Sequence, residues 1–281
     1  MKTCNPLRPA SAVVLHLFQT GMLLAVLAGM VGCTTTRPKP LLRVGLTPDY
    51  PPLVFERDGG VVGAEIDLAG ALGAQLGRPV QFFSMRRELL IPALQEQRID
   101  IVMSGMSVTP ARQLRIAFSD PYLHNQLRAI FTRQNADQFK TRDDILNTSA
   151  KIGVVPGTTA DAFMQKNCPK AWRVAIASRQ DAPFHLLKDR QIDIFIDDTF
   201  ALAQILSENE AGLTCLMQPL ADDDLAWGIR TDDQEFLRQV NAVVARWKSD
   251  GTLERTLRHW LPYLHKYEAL QQGGTTSNKT P

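Results

Sequence analysis

The sequence contains one arginine whose position suits the binding of a carboxylate or another anion. Thr109 and Pro110 form a favourable helix start, because a threonine hydroxyl caps free backbone N–H groups and proline is accommodated at the first helical position. Arg112 falls in the first turn of this predicted helix. A helix N-terminus attracts anions, and a guanidinium can hold a carboxylate through two parallel hydrogen bonds. Arg112 is therefore a candidate residue for binding an anion, although the same pattern also describes a capped helix with a solvated charge.

A second turn of this kind occurs later in the chain. Gly157 permits a tight turn, and Thr159 can cap the helix that follows. The backbone N–H groups of Thr158 and Thr159 could then meet the same anion from the opposite side. The alternative is an ordinary turn between a strand and a helix. Two facing sets of donors favour the first interpretation, because buried polar groups need partners.

Two adjacent carboxylates, Asp197 and Asp198, follow an apolar strand that is predicted at residues 192–196. Residues that contact ligands in α/β sheets gather at the carboxyl ends of strands. Neighbouring side chains of an extended strand point in opposite directions, so only one of the two aspartates is expected to face such a site. We favour Asp198 over its neighbour.

These candidates are embedded in an alternation of short apolar strands and amphipathic helices, which occurs once in each half of the chain. The predicted strands occupy residues 42–46, 80–83, 99–104, 151–155, 172–177, 192–196 and 225–230. The predicted helices occupy residues 66–76, 89–97, 159–166, 183–189, 200–207, 235–248 and 253–261. This alternation predicts an α/β fold in which two tandem lobes each have a sheet and covering helices.

The composition is that of a globular protein, with 44% hydrophobic and 21% charged residues. Removing Lys2 and Arg8 from the 31 basic residues leaves 29, which equals the 29 acidic residues. A neutral chain without a basic run is not expected to bind nucleic acid. The histidines and cysteines show no metal-ligand spacing and no Walker-type loop is present, so we expect neither a metal nor a cofactor.

Residues 1–32 have the pattern of an export signal. Lys2 and Arg8 give a positive start, residues 12–27 are mostly apolar, and small or apolar residues precede Cys33. This arrangement resembles the cleavage site of bacterial lipoproteins, so Cys33 is predicted to carry a lipid that anchors the chain to a membrane. A plain signal peptide and a single membrane anchor are the alternatives. Residues 33–40 are predicted to be a polar tether and residues 266–281 a disordered tail.

Export would leave two cysteines, Cys168 and Cys215, in an oxidising compartment. An even number of cysteines in such a compartment favours pairing. We predict one disulfide between them, with two buried free thiols as the alternative.

Several segments together resemble the bacterial family 3 solute-binding proteins, the periplasmic receptors of polar amino-acid ABC transporters. The similar segments include RVGLTPDYPP at residues 43–52, SGMSVTPAR at residues 104–112, GVVPGTT at residues 153–159 and DIFIDD at residues 193–198. They follow in the order and spacing of the family and cover roughly residues 41–261. A single segment would be a weak signal, whereas the ordered set is specific.

The resemblance implies a type II periplasmic-binding-protein fold, an α/β architecture of two lobes with two hinge crossings. Residues 41–131 together with residues 225–265 would form a discontinuous lobe 1, and residues 132–224 would form lobe 2. A monomer of this kind captures an amino-acid-like ligand by closing its lobes, and it delivers the ligand to the permease of an ABC transporter in the cell envelope.

The resemblance also implies roles for the candidate residues. Arg112 would bind the ligand carboxylate from lobe 1, and Thr158 and Thr159 would bind it from lobe 2. Asp198 would pair with the α-amino group of the ligand.

Three lobe 1 positions complete the implied site, and two others depart from the family pattern. Gly105 and Ser107 would add a carbonyl and a hydroxyl to the ligand contacts, and Tyr50 would stack on the ligand side chain. Family members often carry an acidic residue at the position of Thr47. Many also carry an apolar clamp residue just before the second predicted helix, where this chain has Arg87. If Arg87 faces the cleft, the ligand carries a second anionic or strongly polar group. If it faces solvent, it has no bearing on specificity.

Two other functions are compatible with this resemblance. Cyclohexadienyl dehydratases share the fold, but their proposed catalytic carboxylate lies just after the lobe 2 aspartate, where residues 199–202 contain no acid. Proton transfer requires a titratable group near the substrate, so we do not expect an enzyme. A ligand sensor that acts through a separate membrane protein is the other alternative.

Overall fold

The computed structural model describes residues 40–263. The predicted signal peptide, the lipidation site Cys33, most of the tether and the predicted tail lie outside the described residues. Within residues 40–263, no helix is long and apolar enough to cross a membrane.

The described chain alternates short strands and helices throughout. The strands are β1 (Leu42–Leu46), β2 (Asp49–Tyr50), β3 (Val54–Arg57), β4 (Gly60–Val62), β5 (Val80–Ser84), β6 (Ile101–Val102), β7 (Ala117–Phe118), β8 (Leu123–Thr132), β9 (Lys151–Val154), β10 (Trp172–Ala175), β11 (Ile194–Asp198), β12 (Leu213–Cys215), β13 (Ala221–Leu225) and β14 (Gly228–Ile229). The helices are α1 (Ala64–Leu76), α2 (Arg87–Gln95), α3 (Pro110–Gln113), α4 (Arg142–Asn147), α5 (Thr159–Asn167), α6 (Ala182–Leu187), α7 (Thr199–Glu208), α8 (Gln234–Ser249) and α9 (Thr252–Trp260).

Two mixed sheets form the centres of two lobes. The lobe 1 sheet has the strand order β5-β1-β6-β14-β7, and β1 is parallel to both of its neighbours. The lobe 2 sheet has the order β10-β9-β11-β8-β12, and β13 also pairs with β8. In lobe 2, β9 runs parallel to β10 and β11. The predicted α/β class with flanking helices is confirmed, and the loops at the carboxyl ends of the parallel strands carry most of the candidate site.

The chain crosses between the lobes through β8 and β13, which pair antiparallel from residue 123 to 127 and from 221 to 225. Leu123 and Leu225 pack in the lobe 1 core, whereas Leu127 and Leu220 pack in the lobe 2 core. The first crossing therefore lies before Leu127, earlier than the predicted boundary at Phe131. Phe131 is wrongly placed by the prediction because it pairs with Ile194 inside the lobe 2 sheet.

Most predicted elements occur within a few residues of their predicted bounds. The helix predicted at 66–76 ends as expected at Gly77, whose φ of 61° is the left-handed conformation that glycine adopts readily. The strand predicted at 225–230 is instead two short strands, β13 and β14. The chain passes from the lobe 2 sheet to the lobe 1 sheet between them, so one continuous strand cannot serve both.

The predicted disulfide is absent, and both cysteines are free. Cys168 follows α5 and packs in the core on one face of the lobe 2 sheet, together with Ile194. Cys215 on β12 pairs with Ile130, whose side chain packs in the core on the opposite face. Adjacent residues of a strand point to opposite faces, so the sheet separates the two thiols. The burial that raises the pKa of each thiol fits the alternative of two free, structural cysteines.

Candidate ligand-binding cleft

Arg112 extends from lobe 1 to lobe 2. Thr109 caps the short helix α3 by accepting a hydrogen bond from the Arg112 backbone N–H at 3.3 Å, as its sequence predicts. The Arg112 guanidinium donates to the Ser107 carbonyl at 2.8 Å and to the Gly157 carbonyl of lobe 2 at 3.2 Å. Burial, together with the nearby Arg87 cation, lowers the pKa of Arg112. Among the described residues, no carboxylate forms an ion pair with Arg112, so its charge is available to a ligand.

A pair of hydroxyls from the two lobes lies beside this guanidinium. Ser107 Oγ and Thr159 Oγ1 are 3.5 Å apart, and Thr159 Oγ1 donates to Asp223 at 3.1 Å. Thr158, rather than the predicted Thr159, caps α5 by accepting from the Asp161 backbone N–H at 3.2 Å. Because Thr159 is the first helical residue, its side chain is free to face the cleft.

Asp198 ends β11 at the base of the cleft and is only 5% exposed. Asn125 of β8 donates to one of its carboxylate oxygens at 2.8 Å, while Asn125 Oδ1 is buried without a hydrogen-bond partner. Burial and the adjacent Asp197 carboxylate raise the pKa of Asp198 to about 7. Within residues 40–263, no cation forms an ion pair with Asp198. One buried carboxylate and one buried amide oxygen are thus left as acceptors for a positively charged group.

Asp197, the neighbour of Asp198, has a different environment. Its two carboxylate oxygens accept from Arg179 Nε at 2.7 Å and from Arg179 Nη2 at 3.2 Å. Both side chains are 2% exposed. The two adjacent aspartates therefore differ as strand alternation predicts. Asp197 forms an ion pair with Arg179, and Asp198 has no ion-pair partner among the described residues.

Arg179 also extends from lobe 2 to lobe 1. It donates to the Asp49 carbonyl at 3.2 Å, and its guanidinium lies 4.1 Å above the Tyr50 ring. The Tyr50 ring is fully buried, so Arg179 covers one face that the sequence assigned to a ligand side chain. The Tyr50 hydroxyl is buried close to the Asp198 carboxylate, and its burial, followed by the charge of that carboxylate, raises the pKa of Tyr50 well above the usual value.

Gly105 positions this part of the site through its missing side chain and its backbone N–H. Its φ is 58°, and a Cβ at this position would lie 2.7 Å from Tyr50 Cδ1. Its N–H donates to the buried Glu65 carboxylate at 2.7 Å, which also accepts from Tyr122 and Trp227. Glu65 therefore fixes the loop that carries Gly105, a role that the motif in the sequence did not reveal.

Arg87, at the first position of α2, forms an ion pair with Asp49 through Nη2 and Oδ1 at 2.7 Å. Its side chain is 14% exposed, and its Nε is buried without a hydrogen-bond partner. Asp49, its partner, also accepts a hydrogen bond from Arg179 of lobe 2, so Arg87 lies on the cleft side of lobe 1 rather than in open solvent. We call Asp49, Arg87, Arg179 and Asp197 the charge cluster, because these four residues form a continuous set of ion pairs.

The structure brings most of the predicted site residues together at the boundary of the lobes. Arg112, Ser107 and Thr159 form one group, and Asp198 and Tyr50 form another. Thr158 serves α5 as its cap, and Gly105 holds Tyr50 in place. Sequence reasoning missed four polar residues that touch these groups, namely Asn125, Arg179, Asp223 and Glu65.

The first turn of α7 follows Asp198 directly. It contains no acidic residue, and Phe200 and Ala201 pack into the lobe 1 core. Across residues 40–263, no group of three or more histidine, cysteine, aspartate or glutamate residues is arranged to hold a metal ion. Arg112 and Asp198 give the cleft one cation and one carboxylate, a combination suited to a ligand that carries both a negative and a positive charge.

A two-lobed α/β chain with paired crossing strands and charged side chains facing a cleft between the lobes defines the class of periplasmic-type binding proteins. The chain belongs to family 3 of the bacterial extracellular solute-binding proteins, whose sequence profile matches residues 42–263.

Relatives within this family have named ligands. The chain is 31% identical to the ABC transporter arginine-binding protein 1 of Escherichia coli (strain K12), over 79% of this chain and 90% of that protein. It is also similar to the crystal structure of an ancestral amino acid-binding protein described as a precursor of cyclohexadienyl dehydratase. That protein has 32% identity and a TM-score of 0.72, over 78% of this chain and 95% of the other. An ancestral arginine-binding protein bound to arginine has 28% identity and a TM-score of 0.73, over 80% and 99%.

Proposed function

We propose that this protein captures an α-amino acid between its lobes, with the ligand carboxylate on Arg112 and the ligand ammonium on Asp198. The observation that carries the proposal is that these two oppositely charged groups lie in the cleft without ion-pair partners among the described residues. Buried or half-buried charges are costly unless paired, so a ligand that pairs both at once accounts for their retention.

The surroundings of each charge support the same orientation of the ligand. Ser107 and Thr159 offer hydroxyls beside Arg112, as a carboxylate requires. Asn125 Oδ1, buried and unpartnered next to Asp198, is an acceptor for an ammonium. A zwitterion satisfies both ends, whereas a simple carboxylic acid satisfies only one.

Contacts across the cleft support capture by lobe closure. Arg112 of lobe 1 reaches Gly157 of lobe 2, and Arg179 of lobe 2 reaches Asp49 of lobe 1. Closure around a ligand removes water, which strengthens the hydrogen bonds that hold the ligand's charges.

The related proteins support a role in transport rather than catalysis. The arginine-binding relative from E. coli is named as a component of an ABC transporter. We therefore propose that the closed, monomeric protein delivers its amino acid to the permease of such a transporter on the outer side of the cytoplasmic membrane. The absence of an acid in the first turn of α7 argues against dehydratase chemistry at this site.

We also propose that the protein is lipid-anchored through Cys33. The motif before Cys33 in the sequence supports this assignment, and metabolic labelling with a radioactive fatty acid tests it. We expect label in the wild-type chain and in Cys4→Ala, and no label in Cys33→Ala. Label that persists in Cys33→Ala would contradict the anchor without affecting the binding site.

Calorimetric titration of the purified protein with the common amino acids tests the ligand proposal. We expect at least one to bind, and Arg112→Gln to lose about a hundredfold in affinity, because two charge-assisted hydrogen bonds are removed. Arg115→Gln is the matched control, since Arg115 is exposed and its guanidinium donates to the Gln95 side chain. No binding by any amino acid, or equal losses in both variants, would overturn the proposal.

A further inference from the structure

The charge cluster forms a third wall of the cleft, beside the two groups that hold the ligand's charges. Asp197 precedes Asp198 and accepts its backbone N–H at 2.9 Å. The Arg179 guanidinium lies 4.1 Å above the Tyr50 ring. Burial lowers the pKa of Arg112, and Arg87 is near enough for its charge to lower that pKa further. A ligand that reaches Arg112 and Asp198 together must direct its side chain towards one of the remaining walls. Because the charge cluster lies next to both Arg112 and Asp198, it is the part of the cleft that such a side chain contacts.

The carboxylates of the charge cluster are already engaged. Asp49 pairs with Arg87 at 2.7 Å and lies 3.8 Å from Arg179, while Asp197 takes two hydrogen bonds from Arg179. A cationic side chain entering this region would face two guanidiniums and find no free carboxylate among the four residues. It would have to displace an arginine from its acid, and that leaves another cation unpaired.

The cluster does offer a free donor. The Arg87 Nε–H is buried and has no partner among the described residues, although the Nη2 group of the same guanidinium is held by Asp49. A buried donor without a partner costs free energy, and an oxygen acceptor at this position removes that cost. An amide carbonyl or a carboxylate supplies such an oxygen, whereas an ammonium or a guanidinium supplies only more donors.

We infer that the ligand's side chain ends in an oxygen acceptor that binds Arg87, so that the preferred amino acids are glutamine, asparagine, glutamate or aspartate rather than arginine or lysine. This inference rests on the proposed function and narrows it. It also separates this chain from the relatives that are named for arginine, because here both carboxylates of the charge cluster are already paired and neither is free to bind a cationic side chain.

Titration of the purified full chain with glutamine, glutamate, arginine and lysine at pH 7.5 tests the inference without any substitution. We expect glutamine or glutamate to bind at least about tenfold more tightly than arginine or lysine, since a buried polar group without its partner gives discrimination of this order. Tighter binding of arginine or lysine overturns the inference but leaves the proposed function intact. No binding by any amino acid overturns both.

The variant Arg87→Met tests whether Arg87 is the residue responsible. We expect it to lose about tenfold in affinity for the preferred amino acid, and to lose most of the discrimination against lysine. Arg86→Met is the matched control, because Arg86 precedes Arg87, is 77% exposed and forms an ion pair with Glu88, which is also exposed. Unchanged selectivity in Arg87→Met contradicts the assignment, and if this variant does not fold, the wild-type ranking still decides the inference.

The variant Asp49→Asn distinguishes an amide from a carboxylate as the acceptor. Removing the Asp49 charge frees the Arg87 cation, so we expect glutamate to gain affinity relative to glutamine by about tenfold. An equal change for the two ligands would show that the side chain does not reach Arg87, and would count against the inference.

Discussion

Two sets of charged side chains lie at the cleft: the anchoring groups, which are Arg112 and Asp198, and the charge cluster. The two sets differ in whether each charge has an ion-pair partner within the protein. In the charge cluster, each guanidinium has a carboxylate and each carboxylate has a guanidinium, as in the Arg179–Asp197 pair. Among the anchoring groups, the Arg112 guanidinium donates to two carbonyl oxygens and the Asp198 carboxylate accepts from the Asn125 amide, and neither has an ion-pair partner within residues 40–263. The difference indicates which charges support the fold and which are kept for a ligand.

The contrast is sharpest at two adjacent residues. Asp197 and Asp198 share a strand, are both buried, and differ in that only Asp197 has a cation. Breaking a buried ion pair destabilises a protein, because the remaining charge has no partner. Removing an unpaired buried charge has the opposite effect on the fold. The same substitution at these neighbours therefore separates structural from functional charges.

The largest expected effect is on stability, for Asp197→Asn. The change leaves the buried Arg179 guanidinium without its bidentate partner, so we expect a loss of about 3–5 kcal/mol in the free energy of unfolding. Chemical denaturation of the ligand-free protein measures this loss. A loss below about 1 kcal/mol would mean that the Asp197–Arg179 ion pair contributes little to the free energy of unfolding. The distinction between structural and ligand-binding charges would then fail.

The next effect is at Asp198→Asn, and it has opposite signs for stability and for binding. The folded state raises the pKa of Asp198 to about 7, so the ionised group destabilises the fold increasingly as pH rises from its unfolded pKa of about 4 towards 7. We expect the variant to be more stable than the wild type by about 1–3 kcal/mol at pH 8, with a smaller difference at acid pH. Ligand affinity should fall by about tenfold or more, since the ammonium loses its counter-charge.

Denaturation at pH 5 and pH 8 and titration calorimetry at pH 8 measure these two quantities for Asp198→Asn. A variant that is destabilised like Asp197→Asn, with unchanged ligand affinity, would reverse the assignment of the two aspartates.

The affinity of the wild-type protein should depend on pH in the range in which Asp198 titrates. Binding of an ammonium requires the ionised carboxylate, and the pKa of Asp198 in the ligand-free protein is about 7. We therefore expect the affinity to rise with pH through about 7, by up to about tenfold for each unit below the pKa, and to level off above it. Calorimetry between pH 5.5 and 8.5 checks this profile, and Asp198→Asn should show a flat one. A flat profile in the wild type would mean that a group other than Asp198 holds the ammonium.

The features that local sequence determines were predictable. A threonine followed by a proline is a favourable helix start, so the cap of α3 and the position of Arg112 could be derived from the residues alone. The carboxyl end of an apolar strand placed Asp198 near the site for a similar reason. The family resemblance supplied the lobes and the order of the elements.

The features that depend on pairing between distant segments were not predictable. Arg179 lies in a short 3-10 turn, Arg179–Asp181, whose sequence gives no sign that it pairs with Asp197 on β11. The cysteine prediction failed for the same reason, because composition cannot tell on which face of a sheet Cys168 and Cys215 lie. Each of these relations is set by sheet register and packing, which exist only in the folded chain.

Asp223 fits neither the anchoring groups nor the charge cluster, because among the described residues it has a hydrogen-bond donor in Thr159 but no ion-pair partner. It lies on the crossing strand β13, accepts a hydrogen bond from Thr159 at 3.1 Å, and burial raises its pKa. A carboxylate there competes with the ligand carboxylate for Thr159 and Arg112, so we expect Asp223→Asn to raise the affinity by about threefold to tenfold. Asp222→Asn, on the exposed side of the same strand, is the control. A clear loss of affinity in Asp223→Asn would instead make Asp223 a second partner of the ligand ammonium, and the anchoring groups would then hold two acids and one arginine.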